Sequence, residues 1–86
     1  MELAEVDDPA VLTAAIQRMA RDLRILRVKG YVAVKGKPMR LLVQAVGERV
    51  RAQYDRPWNG ARRGQLVVIA EQGDIDVAAI RAALGA

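Results

Sequence analysis

The chain contains no cysteine, no histidine and no phenylalanine, and its aromatic residues are limited to two tyrosines and one tryptophan. Without cysteine there is neither a disulfide framework nor a thiolate metal site, and a reducing compartment suits the chain. Without imidazole or thiolate, the ligands favoured by zinc, copper and nickel are missing, leaving scattered carboxylates for a hard cation. Any general base would also have to be a carboxylate. No apolar run approaches the roughly 20 residues that span a bilayer, and the opening MELAEVDD is acidic where a signal peptide is basic. These absences give the expectation of a soluble, cytoplasmic chain with no membrane partner, no metal of its own and no enzymatic activity of its own.

What is present is positive charge, unevenly placed. The formal net charge of the 86 residues is +4. All the Lys and Arg residues except Arg81 fall between Arg18 and Arg63, where the only acids are Asp22, Glu48 and Asp55. A chain of this length makes one domain, hiding roughly 60 to 65% of the surface its unfolded form exposes.

Periodicity places the elements. Glu2 to Val6 suits an edge strand or an unstructured lead-in. Asp7-Asp8-Pro9 starts a helix, with Asp8 as cap and Pro9 at the first helical position, where its missing N–H costs nothing. That helix runs to about Leu23, with Leu12, Ile16, Met19 and Leu23 as its apolar stripe and Arg18 and Asp22 as a solvated pair. From Arg24 the period becomes two: Leu26, Val28, Gly30, Val32 and Val34 share one face, and Arg27, Lys29, Tyr31 and Ala33 the other.

Lys35-Gly36-Lys37-Pro38 forms a turn, and Gly47-Glu48 splits the following segment by a tight turn or a bulge. Asp55 to Gly64 reads as a loop, Gln65 to Glu71 as a strand covered on both faces or central in the sheet. A short helix capped by Asp76 closes the chain, with Ile75 and Ile80 as a hydrophobic staple and Val77, Ile80 and Leu84 as its buried side. The expected fold is α+β, a mostly antiparallel sheet of about four strands with two helices on one face, in the order (β)-α-β-β-β-β-α.

The uncovered face of that sheet is the candidate interaction surface: Arg27, Lys29, Tyr31, Arg40, Gln44, Arg49 and Arg51, with Trp58 as a lid on the sheet edge or an anchor in an interface. Strand charges of this kind contribute little to stability, so replacing Arg40 or Arg51 is expected to leave the fold intact. Gly36-Lys37 is not a phosphate loop, because five residues separate Gly30 from Gly36 and Pro38 stands where Ser or Thr would reach magnesium. Lys29-Gly30-Tyr31 opens like an RNA-binding sheet signature but fails at Val32, Ala33 and Gly36. A small basic nucleic-acid-binding domain is therefore the weaker alternative, kept alive by the cations alone. Asp7, Asp8, Asp74 and Asp76 are helix-start residues rather than an acid pair, and Glu48 and Asp55 read as solvated partners of arginine.

Leu26-Arg27-Val28-Lys29-Gly30-Tyr31, the Gly36-Lys37-Pro38-Met39-Arg40 turn, Gln44 with Val46-Gly47, Arg56-Pro57-Trp58 and Leu66 to Ile69 form an ordered series. Over roughly residues 25 to 80 that series resembles the C-terminal domain of the CobW family of cobalamin-biosynthesis proteins, and its Lys-Pro-Met-Arg turn resembles cobalamin-pathway members more than zinc-linked ones. The resemblance implies a fragment of a P-loop GTPase metallochaperone. GTP and a divalent metal would bind only on the N-terminal domain, whose Walker and Cys-rich motifs match nothing in this chain. The implied role is an accessory domain that packs beside the GTPase domain and helps recognise a cobalt-receiving enzyme such as a cobaltochelatase.

Overall fold

Asp8 takes an extended backbone and its carboxylate accepts the Ala10 N–H at 2.9 Å, which starts α1 (Pro9–Asp22) with proline in the first turn. Leu12, Ile16 and Met19 are buried as their spacing predicts, joined by Ala15 and Ala20. Leu23 closes the helix, donating its N–H to the Met19 carbonyl at 2.8 Å, and Arg24, with φ of 52°, turns the chain into the sheet. Asp22 pairs with its neighbour Arg21 rather than with Arg18, because the side chain of Arg21 lies within 3.3 Å at the same helix end. The computed structural model describes residues 1–58, 60–71 and 76–84.

The sheet has five strands, the four expected and the optional N-terminal one, in the order β1-β5-β2-β3-β4, with every neighbouring pair antiparallel. They are β1 (Glu2–Leu3), β2 (Ile25–Ala33), β3 (Met39–Val46), β4 (Arg49–Pro57) and β5 (Gly64–Ala70). Gly47 sits at φ of 57° as the first residue of a two-residue loop joining β3 to β4, the position a type II′ hairpin turn reserves for glycine. Gly36 likewise has positive φ in the turn between β2 and β3. At Gly30 an added Cβ would fall well inside contact of the Gln65 carbonyl oxygen, so β2 and β5 can approach only with glycine there.

Two irregularities change what the strands present. Between Ile25 and Arg27 the register of β2 against β5 slips by one residue, so Ile25 is buried and Leu26 is turned out to solvent instead of into the core. A second slip sets both Asp55 and Arg56 of β4 against Arg40 of β3. The strand then continues to Pro57, beyond the point where the sequence suggests a loop. Pro57 is tolerated because β4 is an edge, where an N–H facing away from the sheet is not missed.

One face of the sheet carries the core: Val28, Val32, Leu41, Val43, Ala45 and Leu66 pack with Leu12, Ile16 and Met19 of α1 and with Ile80 of α2 (Val77–Leu84). Each of the Val, Leu, Ile and Met side chains among these contributes roughly 1.5 to 3 kcal/mol by leaving water. Asp76 caps α2 by accepting the Ala79 N–H at 3.0 Å. Val77 is exposed, contrary to its assignment to the buried side, and α2 is held through Ile80, Ala83 and Leu84. Ile75, the other half of the expected staple, lies outside the described residues. The N-terminal segment is tied down by β1 and by Val6, which exchanges backbone bonds with Ala33 and Lys35 at 2.7 and 2.8 Å.

Candidate functional site

The strand registers array the second face in rows that run from β5 across β2 and β3 to β4. One row is Ile69, Arg27, Val46 and Arg49; the next is Val67, Lys29, Gln44 and Arg51; the third is Gln65, Tyr31, Leu42 and Gln53. With strands about 4.8 Å apart and alternate residues of a strand about 6.8 Å apart, these rows form a patch about 14 Å on a side. Arg27, Lys29, Arg49 and Arg51 are exposed, and among the described residues none has an acidic partner. Six of the sequence-predicted residues therefore stand in these rows, with Arg40 two positions beyond Leu42 on the same face of β3, but they do not act alike.

Apolar side chains stand between these cations. Val46, Val67 and Ile69 are 62%, 64% and 49% exposed, and no described element of the chain covers them. The run Leu66 to Ile69 thus has cover on one face only. Its outer residues were legible as an uncovered strip only once the register placed Val67 beside Lys29 and Ile69 beside Arg27. Val67 and Ile69 on β5 and Val46 on β3 are thus interleaved with the cations of β2 and β4, a mixed apolar and basic surface open to a partner.

Arg40 belongs to a different arrangement at the far end of the face. Its guanidinium donates to both oxygens of Asp55, Nε at 2.9 Å and Nη2 at 2.8 Å, and both side chains are only 20% exposed. The same guanidinium lies 4.5 Å from the centroid of the Tyr31 ring, and Trp58 meets that ring edge-on at 5.6 Å between centroids. Hydrogen bonds from Arg40 lower the Asp55 pKa, with help from the Arg56 N–H and the two arginine charges; desolvation opposes them. The Arg40 pKa is raised, chiefly by the same hydrogen bonds.

Asp55 is therefore a fixed, bidentate partner rather than a solvated one, and Arg40 is not a free cation of the face. The bulge that sets Asp55 against Arg40 has no signature in residue type, which is why neither role was evident from the sequence. Trp58 is half-buried against Tyr31 as a lid, with the Arg62 guanidinium 5.9 Å from its ring centroid. Its indole N–H is buried without an acceptor among the described residues. Arg62, which sequence reasoning did not single out, also bonds Glu5 at 2.7 Å and the Val34 carbonyl at 2.9 Å, tying the β4–β5 loop to the N-terminal segment.

Concave space is modest. A depression of about 110 Å³ lined by Leu42, Gln44, Arg51 and Gln53 lies in the face, below the roughly 300 Å³ at which small-molecule sites begin. A groove of about 440 Å³ on the helical side is lined by apolar residues such as Leu3, Val11, Leu12 and Leu84 and also by Glu5, Asp7, Asp8 and Arg18. Among the described residues no three His, Cys, Asp or Glu side chains group as a metal site, and no helix is long and apolar enough to cross a membrane.

Comparison with known proteins adds a family to this geometry. The model of the cobalamin synthesis protein cobW C-terminal domain matches residues 2–86. A Sinorhizobium sp protein named zinc chaperone CobW is 44% identical over 87 residues, which cover 100% of this chain and 25% of the relative. A Pseudomonas aeruginosa protein of the same name is 46% identical over 82 residues, covering 93% of this chain and 21% of its own. The crystal structure of the Zn(II)-bound YjiA GTPase from E. coli superposes with a TM-score of 0.73 at 27% identity, over 99% of this chain and 27% of that one. The chain thus spans about a quarter of the length of these proteins.

Proposed function

The chain belongs to the family of cobW C-terminal domains, and from that premise we propose that it is the non-catalytic accessory domain of a larger GTPase metal chaperone, docking through its open sheet face. The observation that carries this reading is the set of uncovered apolar residues Val46, Val67 and Ile69 interleaved with Arg27, Lys29, Arg49 and Arg51. The occupant is the GTPase part of the same protein, which a shared chain holds at high effective concentration. A metal-receiving enzyme is the second occupant the role requires, and both would present acidic groups to this face.

Nucleotide and metal are assigned to the rest of the parent, since this chain supplies no imidazole, thiolate or phosphate loop. The resemblance in the Lys-Pro-Met-Arg turn favours cobalt as the cargo, whereas the relatives with 44 and 46% identity are named zinc chaperones. The relatives match across the whole domain and the turn is four residues, so zinc is the better assignment. The nucleic-acid reading loses its stacking platform, because the Tyr31 ring is already engaged by Arg40 and Trp58.

Calorimetry of this domain against the separately prepared GTPase part tests the proposal. The double substitution Val67→Asp with Ile69→Asp should weaken association at least roughly tenfold, by losing apolar burial at the centre of the contact, and should leave the melting transition near its original place. Zinc or cobalt titrated into the domain alone should give no tight binding. Unchanged association of the double variant would overturn the docking face, and tight metal binding by the domain alone would overturn the division of roles.

A further inference from the structure

We propose that the free edge of β4 is a strand-addition site, which takes an extended segment of a partner protein whose residues alternate between acidic and apolar. This goes beyond docking on the open face, since the surface is the sheet edge and the occupant a single strand. β4 is the outermost strand on its side, and among the described residues nothing pairs with its outer edge. β1, at the other edge, is two residues long and offers almost no ladder.

The hairpin geometry says which backbone groups are available. In a two-residue hairpin the residues flanking the loop, here Val46 and Arg49, exchange both backbone bonds, and such pairs alternate along an antiparallel ladder. Arg49, Arg51 and Gln53 therefore turn N–H and C=O towards β3, while Val50, Ala52 and Tyr54 turn theirs outward. The other side of β3 confirms the phase: the Gly47 N–H, next in the alternating series 41, 43 and 45, donates to the Leu26 carbonyl of β2 at 2.9 Å. Three consecutive outward donor and acceptor sets make a ladder for an incoming strand.

Side chains define its chemistry. Val50 is half-buried and Ala52 and Tyr54 are exposed on the helix side, so an apolar shelf continues past the edge. On the opposite side Arg49 and Arg51 are exposed without acidic partners among the described residues. An added strand with apolar residues on the helix side and carboxylates on the other matches both faces at once. The slip at Asp55 and the proline at position 57 end the regular edge, which limits the site to Arg49–Tyr54. Self-pairing of two β4 edges in registers centred on residues 50, 51 or 52 would bring arginines of the two copies opposite or diagonal to each other, which disfavours a second copy.

The test is a titration of the whole chain with an eight-residue peptide alternating glutamate and valine, followed by amide exchange and chemical shifts. Exchange of the Val50, Ala52 and Tyr54 amides should slow on binding, with the largest shifts along β4. N-methylating the peptide on its pairing edge should weaken binding by about tenfold or more, because methyl groups replace ladder donors. Replacing its glutamates with lysine should weaken it by about tenfold. Ala52→Pro removes an outward N–H that the native ladder does not use, so it should abolish the exchange protection while α1 and β2 amides keep theirs. If that variant unfolds, the N-methylated peptide decides alone. Equal binding of the methylated peptide, shifts centred on Val67 and Ile69 instead of β4, no binding at millimolar peptide, or dimerisation of the chain through β4 would each overturn the proposal.

Discussion

Arg40 and Asp55 hold each other through two hydrogen bonds beside the Tyr31 ring, and the consequence is a pH dependence that can be assigned to one carboxylate. The Asp55 pKa is lowered below its unfolded value, mainly by the Arg40 hydrogen bonds. A carboxyl whose folded pKa is depressed contributes stability above its unfolded pKa of about 3.9 and loses it as pH falls through the folded value. Asp55→Asn should therefore lower the melting temperature by a constant amount above about pH 5, and the gap to the wild type should narrow steadily below about pH 4. Melts of both proteins across that range decide it; a gap independent of pH would show that the pair's charge is irrelevant. Arg40→Ala should also lower the melting temperature, whereas Arg51→Ala should leave it nearly unchanged, since Arg51 is exposed and has no acidic partner among the described residues. The two substitutions, alike by residue type, are thus predicted to differ, because only Arg40 holds a carboxylate. Residue type identified the cations; only the bulge shows which of them is already neutralised.

At the scale of elements, α2 contributes one fully buried side chain to the core among the described residues. It enters the hydrophobic cluster through the buried Ile80, with Ala83 and Leu84 half-buried beside it. Ile80→Ala should cost about 2 to 4 kcal/mol in chemical denaturation, whereas Val77→Ala, at an exposed position, should stay within about 0.5 kcal/mol. Equal effects would mean that α2 packs differently. Helix starts and strand periods were readable because Asp8, Asp76, Gly36 and Gly47 act within a few residues of themselves. What was not readable were the outcomes of pairing between distant segments: the slip that exposes Leu26, the extension of β4 to Pro57, and the single-sided cover of β5. Each is decided by a partner strand, and a one-residue slip reverses the face a side chain occupies.

For the whole molecule, the division of the sheet into two unlike faces is the property that links fold to role. One face is filled by two helices, while the other carries apolar residues among cations that have no acidic partner among the described residues. The α+β layering and the basic face were both anticipated from period and charge; the apolar strip within that face was not, because a run such as Leu66 to Ile69 is equally compatible with burial on both sides. Because this chain has no cysteine, docking through its open face can be read with thiols introduced at chosen positions. A Val67→Cys variant places one thiol in the middle of the proposed contact, and a Val77→Cys variant places one on the exposed side of α2. Alkylation rates at these two positions, read by peptide mass spectrometry in the isolated domain and in the full-length parent, compare the faces under the same conditions. If the open face is the docking surface, position 67 reacts several-fold more slowly in the parent than in the isolated domain while position 77 reacts alike in both; equal rates at position 67 in the two proteins would exclude docking through this face.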